Sequence, residues 1–184
     1  DSKVTELNYK TIDCIWNGMT ATDELKNQIN FSSAYMNNSQ VAVIRKADAA
    51  KYKDLASMSG AKVVAEAGSA GEIAVKADAG LSKSYLPVKD QGTSLMEVKS
   101  KTADIAIIDA VTAAGSIGEG TDYDDLMIVD VISSADSEVY AVGIRKSDTE
   151  LTAKINAAIK ELYDDGTLAK LAEKYNLSGR VIAQ

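Results

Sequence analysis

The stretch "TIDCIWNGMTATDELKNQINFSSAY", Thr11 to Tyr35, carries two different signals in 25 residues. Its opening "TIDCIWN" is a short β-branched and apolar run, the signature of a strand, and Cys14 inside it reads as a core side chain. From Asn17 onward the composition turns polar and glycine-containing, as in a loop that presents ligand groups. A side chain of opposite character, Leu25, stands in the middle of that loop.

Further along, "QVAVIR", "AKVVAEA", "ADIAIIDA" and "LMIVDVI" are strand candidates of the same kind, bounded by turn or charged residues. Amphipathic stretches lie between them. "SAGEIAVKADAG" repeats apolar residues at Ile73, Ala74 and Ala77 and is expected to stop on Gly80, while "TSLMEVKS" is expected to start from an N-cap at Thr93 or Ser94. This strand and helix rhythm predicts an α/β fold with mixed, mostly parallel sheets covered by helices. The end of the chain, "DTELTAKINAAIKELYDDGTLAKLAEKY", predicts two helices separated at Gly166, the first capped by Asp148 or Thr149. The opening "DSKVTELNYK" predicts a helix of at most two turns, too short to stand without docking.

Composition narrows the chemistry. The chain has 184 residues, 46% of them apolar, enough for one domain or two small lobes. With 20 Lys+Arg against 27 Asp+Glu, the net charge of −7 offers nothing to a phosphate backbone or an anionic membrane, so nucleic acid is not an expected partner. The absence of histidine and the single cysteine, Cys14, remove the usual zinc sets, a Cys/His pair and a Ser-His-Asp relay; no metal or cofactor is expected. A lone cysteine forms no internal disulfide, which suits a cytosolic protein and a bacterial secreted one alike. No segment approaches the roughly 18 apolar residues of a membrane span. Because the sequence opens on Asp1, with neither initiator Met nor signal peptide, a processed or trimmed product is expected.

Three local motifs have competing readings. "AGSAGE", Ala67 to Glu72, is either a plain βα turn or an anion cradle built from the N–H groups of a first helical turn; without a Lys-Ser/Thr pair it is not a P-loop. Asp109 ends a strand, where it either pairs with a ligand ammonium or caps the helix "AVTAAGSI". "GTDYDDL" concentrates three aspartates, yet the places that a calcium loop gives to glycine and glutamate hold Met127 and Ser133, so it reads as a solvated acidic turn. "GSIGEG" lacks the dinucleotide spacing.

Taken together, "KTIDCIWNGMTATDELKNQINFSSAYM", "AKVVAEAGSAGE", "ADIAIIDAVTAA" and the closing "AVGIRKSDTELTAKINAAIKELYDDGTLAKLAEKY" resemble the extracellular amino-acid-binding proteins of bacterial ABC transporters, the family that includes glutamine- and cystine-binding receptors. The resemblance implies a periplasmic-binding-protein-like fold of two lobes joined by two crossing strands, with ligand trapped on closure. Lobe one would comprise residues 1–40 and 141–184, lobe two residues 41–140. It implies no enzymatic activity, an extracytoplasmic location, an amino-acid-like solute as ligand and a membrane permease as partner.

The same resemblance implies the site. The ligand α-carboxylate would be held by Thr20 and the backbone at Ser69 and Ala70, and its ammonium by the carbonyl of Gly18 and the carboxylate of Asp109. The family arginine that grips the carboxylate aligns with Leu25, and Glu66 adds negative charge beside the glycine turn. Lobe one would also lack its first two strands, leaving an open edge and uncovered apolar surface. A homo-oligomer, most simply a dimer, is therefore expected. The rival expectations are a self-associating scaffold or sensory ectodomain without ligand, and an enzyme of the dehydratase kind found on this fold, in which Glu66 and Asp109 would be the acid/base groups.

Overall fold

The run Gln40–Arg45 shows how the sequence builds its main sheet: five of its six residues are buried, and successive side chains enter opposite faces. Val41 and Val43 join one core with Val64, Leu95, Val98, Ile108 and Leu126. Ala42 and Ile44 join a second with Met58, Val63, Val75, Leu81 and Ile107. A strand covered on both sides needs the continuous apolar run seen here, not an alternating one.

A computed structural model describes residues 2–132 and 138–184. In chain order its elements are α1 (Lys3–Asn8), β1 (Cys14–Ile15), α2 (Asp23–Gln28), β2 (Asn30–Phe31), β3 (Met36–Asn38), β4 (Gln40–Arg45), β5 (Val63–Glu66), α3 (Ala70–Ala77), β6 (Tyr85–Val88) and α4 (Gln91–Lys99). There follow β7 (Ile105–Asp109), α5 (Ala110–Ser116), β8 (Leu126–Val131), β9 (Glu138–Tyr140), β10 (Gly143–Ile144), α6 (Thr149–Asp164) and α7 (Thr167–Lys174). The chain divides into two units, Asp1–Asn38 with Ala135–Gln184 and Ser39–Ser134.

The second unit holds a five-stranded mixed sheet in the order β6-β5-β7-β4-β8. β5 runs parallel to β6 and β7, and β4 antiparallel to β7 and β8. Helices α4 and α5 cover one face through Leu95, Val98 and Ala113, and α3 covers the other through Val75. Two expected helix boundaries move. α3 ends at Ala77, where Asp78 turns the chain and accepts from the N–H groups of Gly80 and Leu81 at 2.8 and 2.9 Å. α4 starts earlier than Thr93, because the carboxylate of Asp90 takes the N-cap position and accepts from Thr93 N–H at 2.6 Å.

The first unit pairs β1, β10 and β2 in a small antiparallel sheet, and β3 with β9 in a two-stranded ribbon. Its core is Leu7, Ile15, Met19 and Ile29, so the short α1 docks as expected, through fully buried Leu7. Gly143 lies where an added side chain would push its neighbours aside: a Cβ there would stand 2.6 Å from Met19 Cε and 2.9 Å from Ile29 Cδ1. α6 is capped by Asp148, which accepts from Leu151 N–H at 3.1 Å, and Gly166 takes the left-handed conformation, φ +78°, between α6 and α7.

Each unit contains the same five-residue pattern, "IRKAD" at 44–48 and "IRKSD" at 144–148, and folds it alike. Arg45 donates to Val98 O at 2.6 Å, Ala103 O at 2.7 Å and the Asp48 carboxylate at 2.6 Å. Arg145 donates to Ile12 O at 2.7 Å and reaches Asp13 and Asp148 at 3.1 and 3.3 Å. Both guanidinium groups clamp the carbonyls that end a neighbouring segment, using the fork of donors only arginine has.

Candidate functional site

In the first unit, Gly18 has φ +70°, a conformation that favours glycine, and a Cβ there would touch the Tyr140 ring at 3.4 Å. Thr20 follows in a bridge to Tyr140, and Ala21 N–H donates to Val139 O at 3.0 Å. The Gly18 to Thr20 loop is thereby held against β9. Tyr35 extends this aromatic surface, its ring 6.5 Å from Tyr140 and 6.1 Å from Trp16. Burial pushes the Tyr35 hydroxyl up from its ordinary pKa, opposed by a hydrogen bond with Trp16.

Leu25 occupies α2, whose start is capped by Thr22 Oγ1 accepting from Leu25 N–H at 3.3 Å. Its side chain packs against the core of Leu7, Ile15, Met19 and Ile29. Leu25 is thus a packing residue. Of the chain's three arginines, Arg45 and Arg145 are committed to the carbonyl clamps, and Arg180 lies near the C-terminus.

In the second unit, the glycine turn is both a βα turn and a source of donors. Ser69 is the N-cap of α3, its Oγ accepting from Glu72 N–H at 3.1 Å and donating to Glu66 O at 2.7 Å. Glu72 reaches back to accept from Gly68 N–H at 2.7 Å, so Ser69 and Glu72 satisfy the turn reciprocally. Ser69 N–H turns inward to Glu66 O at 3.2 Å. Among the described residues, the N–H groups of Ala70 and Gly71 have no assigned acceptor, as expected of a first helical turn. Gly71 is buried, and a Cβ on it would stand 3.0 Å from both Gln40 Oε1 and Ile107 O. The Ser69, x, x, Glu72 spacing was the sequence signal for this geometry.

Glu72 is held ionised to lower pH than an ordinary glutamate, first by the Lys76 ammonium 2.9 Å away and then by Gly68 N–H. Tyr85, which donates to Glu72 Oε1 at 3.0 Å, is pushed the other way by burial and by that carboxylate.

Asp109 closes β7 and is 7% exposed. It takes the N-cap position of α5 without making a side-chain cap bond. Its Oδ1 instead accepts from Gln40 Nε2 at 2.6 Å and its Oδ2 from Gln91 Nε2 at 2.7 Å, while Asp109 N–H donates to Gln91 Oε1 at 3.0 Å. The second unit therefore places Ala70 and Asp109 on two elements tied through Gln40. Gln40, Gln91 and Tyr140 were not singled out from sequence; amide side chains 69 and 18 residues from their partner leave no periodic signal.

The acidic turn is settled by Lys99, which donates to Asp122 O and stands 3.8 Å from Asp125 Oδ1. Among the described residues no group of three or more His, Cys, Asp or Glu could hold a metal, and no helix is long and apolar enough to cross a membrane.

Comparison with known proteins gives concordant results. Residues 1–178 match the bacterial extracellular solute-binding proteins, family 3. The chain is 33% identical over 179 residues to the arginine-binding extracellular protein ArtP of Bacillus subtilis, covering 95% of this chain and 67% of that protein. Among solved structures, a mutant of ArgBP from T. maritima superposes with a TM-score of 0.82 at 32% identity, covering 95% of this chain and 73% of that one. An amino acid ABC transporter substrate-binding protein from Streptococcus pneumoniae, bound to L-arginine, gives 0.83 at 27% identity, covering 100% and 74%. The chain spans 61–69% of the length of the curated relatives it matches.

Proposed function

We propose that this chain, which belongs to the bacterial extracellular solute-binding proteins of family 3, is the solute receptor of an amino-acid ABC uptake system, binding without chemical conversion. The observation that carries this reading is the pairing, in one unit, of an ionisable acceptor, Asp109, with open N–H donors at the start of α3. These are the complements of an ammonium and a carboxylate. Thr20 and the carbonyl of Gly18 supply the contribution of the first unit, and Ser69 shapes the α3 turn so that Ala70 N–H stays open. Ligand selects the state that a membrane permease recognises outside the cytoplasm.

The relatives direct the choice of ligand. ArtP is named for arginine, and other relatives for cystine, glutamine, histidine and lysine. A cationic amino acid fits an Asp109-centred site in a chain of net charge −7. Leu25 supplies no bidentate grip; a charged hydrogen bond contributes about 1.5–3 kcal/mol, so affinity falls about ten- to a hundredfold below that of an arginine-bearing receptor. Isothermal titration of the full chain with the L-amino acids tests the reading. Flat heats throughout defeat it.

A second reading is favoured by the surface of the first unit. Trp16, Tyr35, Leu168, Leu171 and Tyr175 line an open apolar groove of about 260 Å3, with Trp16, Leu171 and Tyr175 roughly half exposed. Such a surface suits self-association, as a dimeric receptor or as a scaffold without ligand. Light scattering separates these from a monomer, and a monodisperse monomer at micromolar concentration excludes both.

A further inference from the structure

We infer that Gln91 and Gln40 are positioning residues for Asp109: their side-chain amides fix its carboxylate as the acceptor for the ligand ammonium and, through Gln40, set its place relative to the open donors of α3. The inference rests on the ligand role proposed above for Asp109. Three hydrogen bonds support it, at 2.6, 2.7 and 3.0 Å, and two of them form a reciprocal pair between Gln91 and Asp109.

The donor chemistry is informative. Each carboxylate oxygen accepts from a neutral amide, which orients the group without supplying the positive charge a ligand ammonium brings; an arginine or lysine in either place would compete with it. Fixing the acceptor beforehand reduces what binding must order.

The Gln91 side chain is also not consumed by its own helix. α4 is capped by Asp90, so the first residue of the helix sends its amide across to the end of β7 instead. Gln40 is fully buried, faces Asp109 across the β4–β7 ladder, and sets its Oε1 against Gly71 at the start of α3. One side chain thereby touches both the ammonium acceptor and the helix that carries the carboxylate donors.

The test uses the full chain, with L-arginine, L-lysine, L-histidine, L-glutamine and L-cystine as probes in calorimetric titrations. Gln91 is half-buried and belongs to neither core cluster, so its variants fold. Gln91→Leu, which removes both bonds, is expected to weaken the tightest probe about tenfold, the loss of one charged hydrogen bond's worth of organisation, and to lower the unliganded melting temperature as well, because two hydrogen bonds to the buried Asp109 are lost. Gln91→Glu keeps an acceptor for Asp109 N–H but faces carboxylate with carboxylate, and is expected to weaken binding further. In an Asp109→Asn background, Gln91→Leu is expected to change the affinity no further; contact alone couples the two residues in stability, and the readout that a merely structural role leaves unmoved is the affinity. Unchanged affinity in Gln91→Leu, or full additivity with Asp109→Asn, overturns the inference while leaving Asp109 as a ligand group. Parental affinity in Asp109→Asn, or no binding by the parent, overturns the underlying reading and the inference with it.

Discussion

Gln40 and Asp109 are cross-strand partners whose side chains also meet, Gln40 Nε2 donating to Asp109 Oδ1 at 2.6 Å. Gly71 presses on the same glutamine from the other side, its Cα bare where a methyl group would stand 3.0 Å from Gln40 Oε1 and 3.0 Å from Ile107 O. The amide is confined between a helix start and a strand end. Its rotamer, and with it the Asp109 carboxylate, depends on the absence of one carbon atom.

Gly71→Ala is therefore expected to destabilise the second unit by about 1–3 kcal/mol, the usual range for overpacking, because Ile107 O is backbone and cannot swing aside. Gly143→Ala is expected to cost less: the atoms it meets, Met19 Cε and Ile29 Cδ1, are the far ends of flexible side chains. Differential scanning calorimetry of the two variants checks the order, and a larger loss for Gly143→Ala contradicts it.

The two arginine clamps lead to a second expectation. Arg45 and Arg145 have side chains only 12% and 11% exposed, and each binds backbone carbonyls of a neighbouring segment together with a carboxylate. Replacing either by Met removes several hydrogen bonds at once and leaves the paired carboxylate without its cation, and is expected to cost about 2–4 kcal/mol. Lysine, with one point of charge instead of a fork, is expected to recover less than half of that. Urea denaturation of the four variants measures it; a lysine variant as stable as the parent refutes the fork geometry.

Acid sensitivity follows from Glu72. Its carboxyl titrates below the ordinary glutamate value of 4.5, so the native state binds fewer protons than the unfolded chain in the window just under that value. The contribution is complete above about pH 4.5 and is lost as the pH falls through the lower native value. Glu72→Gln is expected to melt lower than the parent at pH 7, with the gap narrowing below pH 4. Thermal melts across pH 3–7 check this. A gap that stays constant removes Glu72 as the acid-labile group.

What was legible in the sequence was whatever repeats or interrupts a pattern. β4 and β7 announce themselves because both faces are buried, giving unbroken apolar runs, and Gly166 marks the α6–α7 boundary because only the left-handed conformation turns the chain there. β6 was hidden by Pro87, which is tolerated because, among the described residues, that strand pairs with β5 alone at the edge of the sheet. The start of α4 was misplaced because Thr93 is a good capping residue by type, and only the structure shows that it is the donor and Asp90 the acceptor. For the candidate site, Asp109 and the Ser69 to Glu72 turn could be read from position; the Gln40 and Gln91 amides could not, since their partner is supplied by the fold.

Leu25 offers the sharpest test of the receptor reading, because packing and binding pull in opposite directions there. The side chain lies partly buried on Leu7, Ile15, Met19 and Ile29, so Leu25→Arg removes apolar contact and is expected to cost about 1–2 kcal/mol of stability. The same substitution restores the cation that the resemblance aligns with this position. If the first unit supplies ligand contacts at Thr20, five residues upstream in the same loop and helix, the arginine adds a charged contact to an amino-acid carboxylate and tightens binding about tenfold or more. A variant less stable than its parent when unliganded, yet more strongly stabilised by L-arginine, is the expected outcome in paired thermal melts. A variant that loses stability and gains no affinity for any amino acid leaves Leu25 as a packing residue alone and removes the carboxylate grip from this part of the chain.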